Sequence, residues 1–164
     1  ESRKCLFGDV KHEEMVLNEK GKIAQIFWIE ITNHFDNVML DEYVIMPNHI
    51  HGIIGVGHND RCAVNDKNIQ YENNERNHQI RRNNHGCSLR SLKRSRNMEL
   101  IPKIISQYKS SVTRLIRKNI DPNIRIWQKS YYDHIIRDEK DLNRIRTYII
   151  ENPINWENDE YNER

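Results

Sequence analysis

Two short stretches of this 164-residue chain hold the residue types that could do chemistry together. The first is Met46-Pro47-Asn48-His49-Ile50-His51. On a strand, residues i and i+2 project from the same face, so His49 and His51 stand side by side, a spacing that suits two imidazoles on one metal ion. The second is Tyr148-Ile149-Ile150-Glu151-Asn152-Pro153. On a helix, Tyr148 and Asn152 are one turn apart on one face, beside the apolar stripe of Leu142, Ile145 and Ile149. Taken singly, each stretch also reads as structure: two half-exposed histidines on a sheet, and a phenol and an amide at the margin of a buried stripe. Taken together they compose a site for phosphodiester transesterification. Two imidazoles and an amide oxygen would hold a divalent ion with positions left for phosphate oxygens. Tyr148 would be the nucleophile, and a free phenol, with a pKa near ~10, needs the ion, a base or a positive neighbour to ionise.

The elements that must position these residues are readable from periodicity. Ile23, Ile26, Phe27, Ile31 and Phe35 recur at helical spacing and predict a helix over 18–35, with Asn18 as N-cap. Apolar, β-rich runs over 37–46 and 49–56 flank Pro47-Asn48 and predict an antiparallel pair joined by a tight turn. Residues 57–97 are rich in Asn, Arg and Lys, nearly empty of large apolar residues, and read as a long basic insertion. Helical spacing returns over 98–118, with Ile101, Ile104, Ile105, Tyr108, Val112, Leu115 and Ile116 in one stripe. A strand is predicted over 127–136, then a helix over 138–152 that Asp138 caps and Pro153 stops. The order helix, strand, strand, insertion, helix, strand, helix predicts one α+β domain over 1–164, a sandwich with a small antiparallel sheet.

Further stretches fit the same pattern: Arg3-Lys4-Cys5-Leu6-Phe7-Gly8, Tyr108-Lys109-Ser110, and Ile126-Trp127-Gln128-Lys129-Ser130-Tyr131-Tyr132-Asp133-His134-Ile135-Ile136-Arg137-Asp138. With the Met-Pro-Asn-His-x-His and Tyr-x-x-x-Asn-Pro motifs, they make the chain resemble the single-tyrosine HUH transposases of the insertion-sequence-200-like superfamily. The REP-associated tyrosine transposases are the most similar branch. The resemblance covers the chain outside 57–97. It implies a ferredoxin/RRM-like sandwich with the histidine strand in the sheet and the tyrosine on a C-terminal helix. It implies that His49 and His51 bind Mg2+ or Mn2+, with Asn152 as third ligand. Tyr148 would attack single-stranded DNA at hairpin or palindromic repeats, becoming linked to a 5′ phosphate and freeing a 3′ hydroxyl. The family has a further central strand ahead of residues 3–8, and this chain opens too late to include it. Insertion-sequence relatives tend to be homodimers, and the REP-associated branch can act as monomers.

Charge distribution agrees with a polyanionic partner. The formal net charge is +2, but it divides into −4 over 1–56, +9 over 57–118 and −3 over 119–164. Lys109, Arg114, Arg117 and Lys118, and Arg90, Lys93 and Arg94 with Arg96 in the insertion, are the candidate contacts to DNA phosphates. Hydrophobic residues make up 37% and mean hydropathy is −0.89, enough for one modest core. No apolar run approaches the ~20 residues that span a bilayer, and the opening residues are unlike a signal peptide. Three widely spaced cysteines, Cys5, Cys62 and Cys87, point to a reduced, cytoplasmic protein rather than a disulfide scaffold, and the resemblance implies a prokaryotic, DNA-associated one.

Other residues are weighed and set aside. Tyr131 and Tyr132 are rival nucleophiles, but neighbours on a strand face opposite ways, so they read as sheet packing. His58, Cys62, His78, His85 and Cys87 lack the paired spacing of a zinc site. Trp28, Trp127 and Trp156 read as core or rim aromatics, and His134 has no assigned role. Two other function classes stay open: a hairpin-binding module without cleavage, and a metal-dependent phosphohydrolase whose nucleophile is water.

Overall fold

Asn18 turns the chain into its first helix. Its Oδ1 accepts the Gly21 N–H, and its Nδ2 donates to the Leu6 carbonyl, so the cap also pins the incoming segment. The helix, α1 (Glu19–Ile29), ends at Glu30 and a separate short turn, α2 (Ile31–His34), follows, so the single helix expected over 18–35 is two. The computed structural model describes residues 5–57, 100–159 and 161–162. The expected insertion, with Arg90, Lys93 and Arg94 and the five His and Cys set aside as zinc candidates, lies outside the described residues except for Gly57.

Among the described residues the protein is α+β, with two small antiparallel sheets. Ahead of α1 a hairpin pairs β1 (Gly8–Lys11) with β2 (Glu14–Leu17). The sequence reading missed it. Its two-residue turn is His12-Glu13, both at positive φ, 51° and 63°, where the usual signal is Asn-Gly or Asp-Gly. The second sheet pairs β3 (Val38–Ile45) with β4 (Ile50–Val56), as expected. One extra residue bulges β3 between Leu40, opposite Ile54, and Tyr43, opposite Gly52. The bulge keeps Leu40 and Tyr43 against the core although they are an odd number of residues apart.

The two faces of this sheet have different coverings. On one face α1 and α3 (Leu100–Asn119) pack together, with Phe7, Ala24, Trp28, Ile104, Tyr108, Val112 and Ile116 buried among them. Tyr108 Oη donates to the Ala24 carbonyl at 3.0 Å, and its ring meets Trp28 edge-on at 5.3 Å. Trp28 lies directly over Gly52, where any Cβ would overlap its ring, so Gly52 marks the core face of β4. Across the sheet lies α4 (Glu139–Glu151), capped by Asp138, whose Oδ1 accepts the Asp141 N–H at 2.8 Å. Arg146 of α4 grips Asp41 in the bulge through both carboxylate oxygens, Nε to Oδ1 at 2.9 Å, which fastens the helix to β3.

The strand expected over 127–136 is absent: the segment runs without a ladder partner. Bonds to and from Lys109 of α3 hold its beginning instead. Trp127 Nε1 donates to the Lys109 carbonyl at 3.0 Å, and Lys109 Nζ donates to the Ser130 carbonyl at 3.1 Å. Beyond that, Tyr132 is 91% exposed. Among the described residues, no helix is long and apolar enough to cross a membrane.

Candidate active site

The site begins at a four-residue turn. Met46 N–H donates to the His49 carbonyl at 2.9 Å, closing the chain around Pro47-Asn48 between β3 and β4. Phe7 N–H reaches the Pro47 carbonyl at 2.9 Å, so the turn is tied from outside as well. His49 ends the turn and His51 is the second residue of β4. Gly52 faces Trp28, so by alternation His51 faces α4.

The two imidazoles converge. Their Nε2 atoms are 2.9 Å apart and their rings meet edge-on at 4.6 Å. Asn48 fixes the tautomer of the first. Its Nδ2 donates to the Tyr161 carbonyl at 2.6 Å, which leaves Oδ1 to accept from His49 Nδ1 at 2.7 Å. His49 Nε2 is therefore the nitrogen that carries a lone pair into the site. Burial holds His51 below the ordinary imidazole value, with the charge of Asp159 working the other way, and the neutral ring is the form that ligates metals.

The helix brings the remaining residues. Tyr148 Oη is 3.5 Å from His51 Nε2, its ring 5.1 Å from the imidazole, and the residue is 49% exposed. One turn on, Asn152 is only 3% exposed, and its Oδ1 is buried without a hydrogen-bond partner. A buried amide oxygen left unpaired is costly, and a cation is one thing that satisfies it. Adjacent ligands of an octahedral ion at 2.0–2.1 Å lie about 3 Å apart, the separation the two Nε2 atoms have. The spacing of the two Nε2 atoms suits neighbouring ligands of a divalent cation, and the unpaired Asn152 Oδ1 is the kind of oxygen that such an ion takes. Among the described residues, no group of three or more His, Cys, Asp or Glu side chains is placed to hold a metal ion.

A comparison with known proteins finds a relative of this chain. An uncharacterized protein of Haemophilus influenzae strain Rd is 35% identical over 159 residues, which cover 97% of this chain and 78% of the relative. The chain belongs to that protein's family. No family model and no solved structure matches it.

The site gathers His49, His51 and Tyr148, with Asn152 on the same helix face as Tyr148. The cationic candidates of α3 stand elsewhere, on the helix that packs with α1 across the sheet. Lys109 is taken up by the Gln128 and Ser130 carbonyls and lies 5.9 Å from the Trp127 and Tyr131 ring centroids, and its burial lowers the ammonium pKa. Arg117 donates from Nε and Nη2 to the Ile124 carbonyl. Arg114 and Lys118 are exposed. His134 bonds Asp141 at 2.7 Å at the start of α4.

The sequence reading had Trp156 as a core or rim aromatic, which its burial bears out, but gave the tail no part in the site. After α4 a 3-10 turn (Trp156–Asn158) buries Trp156, whose ring centroid is 6.0 Å from that of His49, and Tyr161 stands over His49 at 5.2 Å. No spacing signal marks these residues, because they reach the site only through the fold. An open cleft of about 370 Å³ lies between the end of α4 and this tail, with Tyr148 and Asn152 in one wall and Asp159 and Tyr161 in another.

Proposed function

We propose that the chain is a metal-dependent single-stranded DNA transposase or endonuclease of the single-tyrosine HUH type, related to the REP-associated branch. It would cleave and rejoin DNA at hairpin or palindromic repeats through a 5′-phosphotyrosine. The observation that carries this reading is the Tyr148 phenol 3.5 Å from His51 Nε2, beside a histidine pair whose Nε2 atoms are 2.9 Å apart. The placement of α1 and α3 on one face of the β3–β4 pair, and of α4 on the other, supports a ferredoxin/RRM-like sandwich.

His49, His51 and Asn152 would hold Mg2+ or Mn2+, which when bound polarises a phosphodiester and offsets charge in the transition state. Tyr148 Oη attacks phosphorus, and its proton leaves to solvent, to which the residue is half open. The bond from phosphorus to the 3′ oxygen breaks, the 3′ oxygen takes a proton, and a phosphotyrosine diester remains. Attack of a 3′ hydroxyl on that diester reverses the step and rejoins a strand. Asn48 keeps His49 oriented throughout.

The test is a denaturing gel after incubation with labelled hairpin DNA from the flanks of the gene, with Mn2+ or Mg2+. A covalent protein–DNA band that requires metal, and is lost in Tyr148→Phe and His49→Ala, is expected. Cutting that persists in Tyr148→Phe without a band would indicate a hydrolase. Hairpin binding without cutting in the unaltered protein would indicate a binding module.

A further inference from the structure

Arg146 and Tyr148 leave α4 on opposite flanks. At 3.6 residues per turn they stand about 160° apart by the shorter way round, and the stripe of Leu142, Ile145 and buried Ile149 fills that arc. Helix side chains reach roughly 5–6 Å from the axis, so a roll of about 10° carries a side-chain tip by about 1 Å. Tyr148 Oη is 3.5 Å from His51 Nε2, so a roll of that size would change the approach by a large fraction. The apolar stripe holds the helix to the sheet, but apolar contact is non-directional and sets the roll only loosely.

The flank opposite Tyr148 carries a directional contact. In the β3 bulge the Glu42 N–H donates to Asp41 Oδ1 at 2.7 Å, which orients the carboxylate. Arg146 meets both of its oxygens, Nε to Oδ1 at 2.9 Å and Nη2 to Oδ2 at 2.5 Å. The remaining nitrogen, Nη1, donates to Asn143 Oδ1 at 3.3 Å, one turn back on the same helix. Every guanidinium nitrogen is thus engaged, and a planar fork seated on a carboxylate fixes angle as well as distance. The Arg146 and Asp41 side chains are 34% and 31% exposed, a setting in which an ion pair adds little stability.

We propose that Asp41 and Arg146 are positioning residues: the pair sets the roll of α4 and so holds the Tyr148 phenol at the histidines, in reach of a phosphate bound there. The assignment deepens the reading of Tyr148 as the residue that takes that phosphate, and rests on it. Neither side chain belongs to the histidine pair or to Asn152. Loss of the pair should therefore slow transfer and leave hairpin binding as it is.

The experiment compares the unaltered protein with Asp41→Ala and Arg146→Lys. The lysine variant keeps the charge and loses the fork, so it separates orientation from attraction, and it carries the test if Asp41→Ala fails to fold. The first measurement needs no activity. A through-space NMR cross-peak between the Tyr148 ring and the His51 imidazole, whose centroids are 5.1 Å apart, should be present in the unaltered protein and weak or absent in both variants. The second is single-turnover adduct formation on the gene-flank hairpin with Mn2+, read beside hairpin affinity. A rate about 10–100-fold lower, with affinity within about twofold, is expected, the cost of misplacing a reacting group by about 1 Å. A cross-peak that survives in both variants, or affinity that falls in step with rate, would overturn the assignment. Adduct formation at an undiminished rate in the variants removes the positioning role alone. No adduct from the unaltered protein, with the cross-peak lost in the variants, removes the nucleophile reading and leaves the pair as what sets the phenol beside His51.

Discussion

Asn48 Oδ1 lies 2.7 Å from His49 Nδ1, while the same amide donates to the Tyr161 carbonyl. One side chain thus sets which nitrogen of His49 faces the site and ties that choice to a residue 113 positions away. Asn48→Ala should weaken Mn2+ binding by roughly 10–100-fold, the usual cost of losing a partner behind a metal-bound imidazole. Asn48→Asp keeps an acceptor and should lose less. Calorimetric titration with Mn2+ distinguishes the two, and equal affinities in all three proteins would refute the orienting role.

Gly52 offers a test of the scaffold. A methyl group there overlaps the buried Trp28 ring, so Gly52→Ala should destabilise the fold by about 1–3 kcal/mol, as overpacking does. Gly55→Ala on the same strand is the control, since its nearest neighbour would be Met39 at 3.6 Å, an ordinary contact. Thermal unfolding should show a lower midpoint for the first and little change for the second.

Lys109 separates two roles for a basic residue. Its ammonium holds the Gln128 and Ser130 carbonyls, so Lys109→Met should lower the unfolding midpoint and leave the salt dependence of DNA binding unchanged. Arg114 and Lys118 are exposed, and neutralising either should weaken binding to all sequences alike if that face meets phosphates, reducing the salt slope by about one or less. A salt slope that falls in Lys109→Met would return that residue to the DNA-contacting set.

Asp141 should titrate below an ordinary carboxyl. The hydrogen bond with His134 is the first cause and the one with Arg144 the second. Its folded value is depressed, so whatever it adds to stability is present above its unfolded pKa and is lost as pH falls through the folded one. His134→Ala should move the Asp141 titration upward, towards that of an ordinary carboxyl, in an NMR pH series. An unmoved titration would mean that Arg144 and the helix end carry the shift.

The parts of the site that were legible in the sequence are those fixed by local geometry. His49 and His51 share a face because strands alternate, and Tyr148 and Asn152 share one because helices turn every 3.6 residues. The Asp138 cap and the end of α4 before Pro153 were legible for the same reason. The approach of Tyr148 to His51 was not a local fact. It depends on the bulge in β3 that presents Asp41 to Arg146, and a bulge leaves no mark in apolar periodicity. Residues 127–136 misled because Trp127, Tyr131 and Ile135 are strand-forming types, whereas a strand exists only where a second backbone pairs with it. The first hairpin was invisible because His12 and Glu13 adopt left-handed conformations without the residues that usually announce them.

The long reach of the bonds that close the site has a consequence for how the molecule comes into being. Asn48 waits for Tyr161, and Asp41 waits for Arg146, 105 residues further on. A chain emerging from the ribosome can pair β3 with β4 and set the histidines beside each other while the phenol has yet to be made. Closing so wide a loop is slow compared with forming a hairpin. The sheet and the completed site are therefore separated in time, and a prematurely ended product would keep the imidazoles without the Tyr148 phenol.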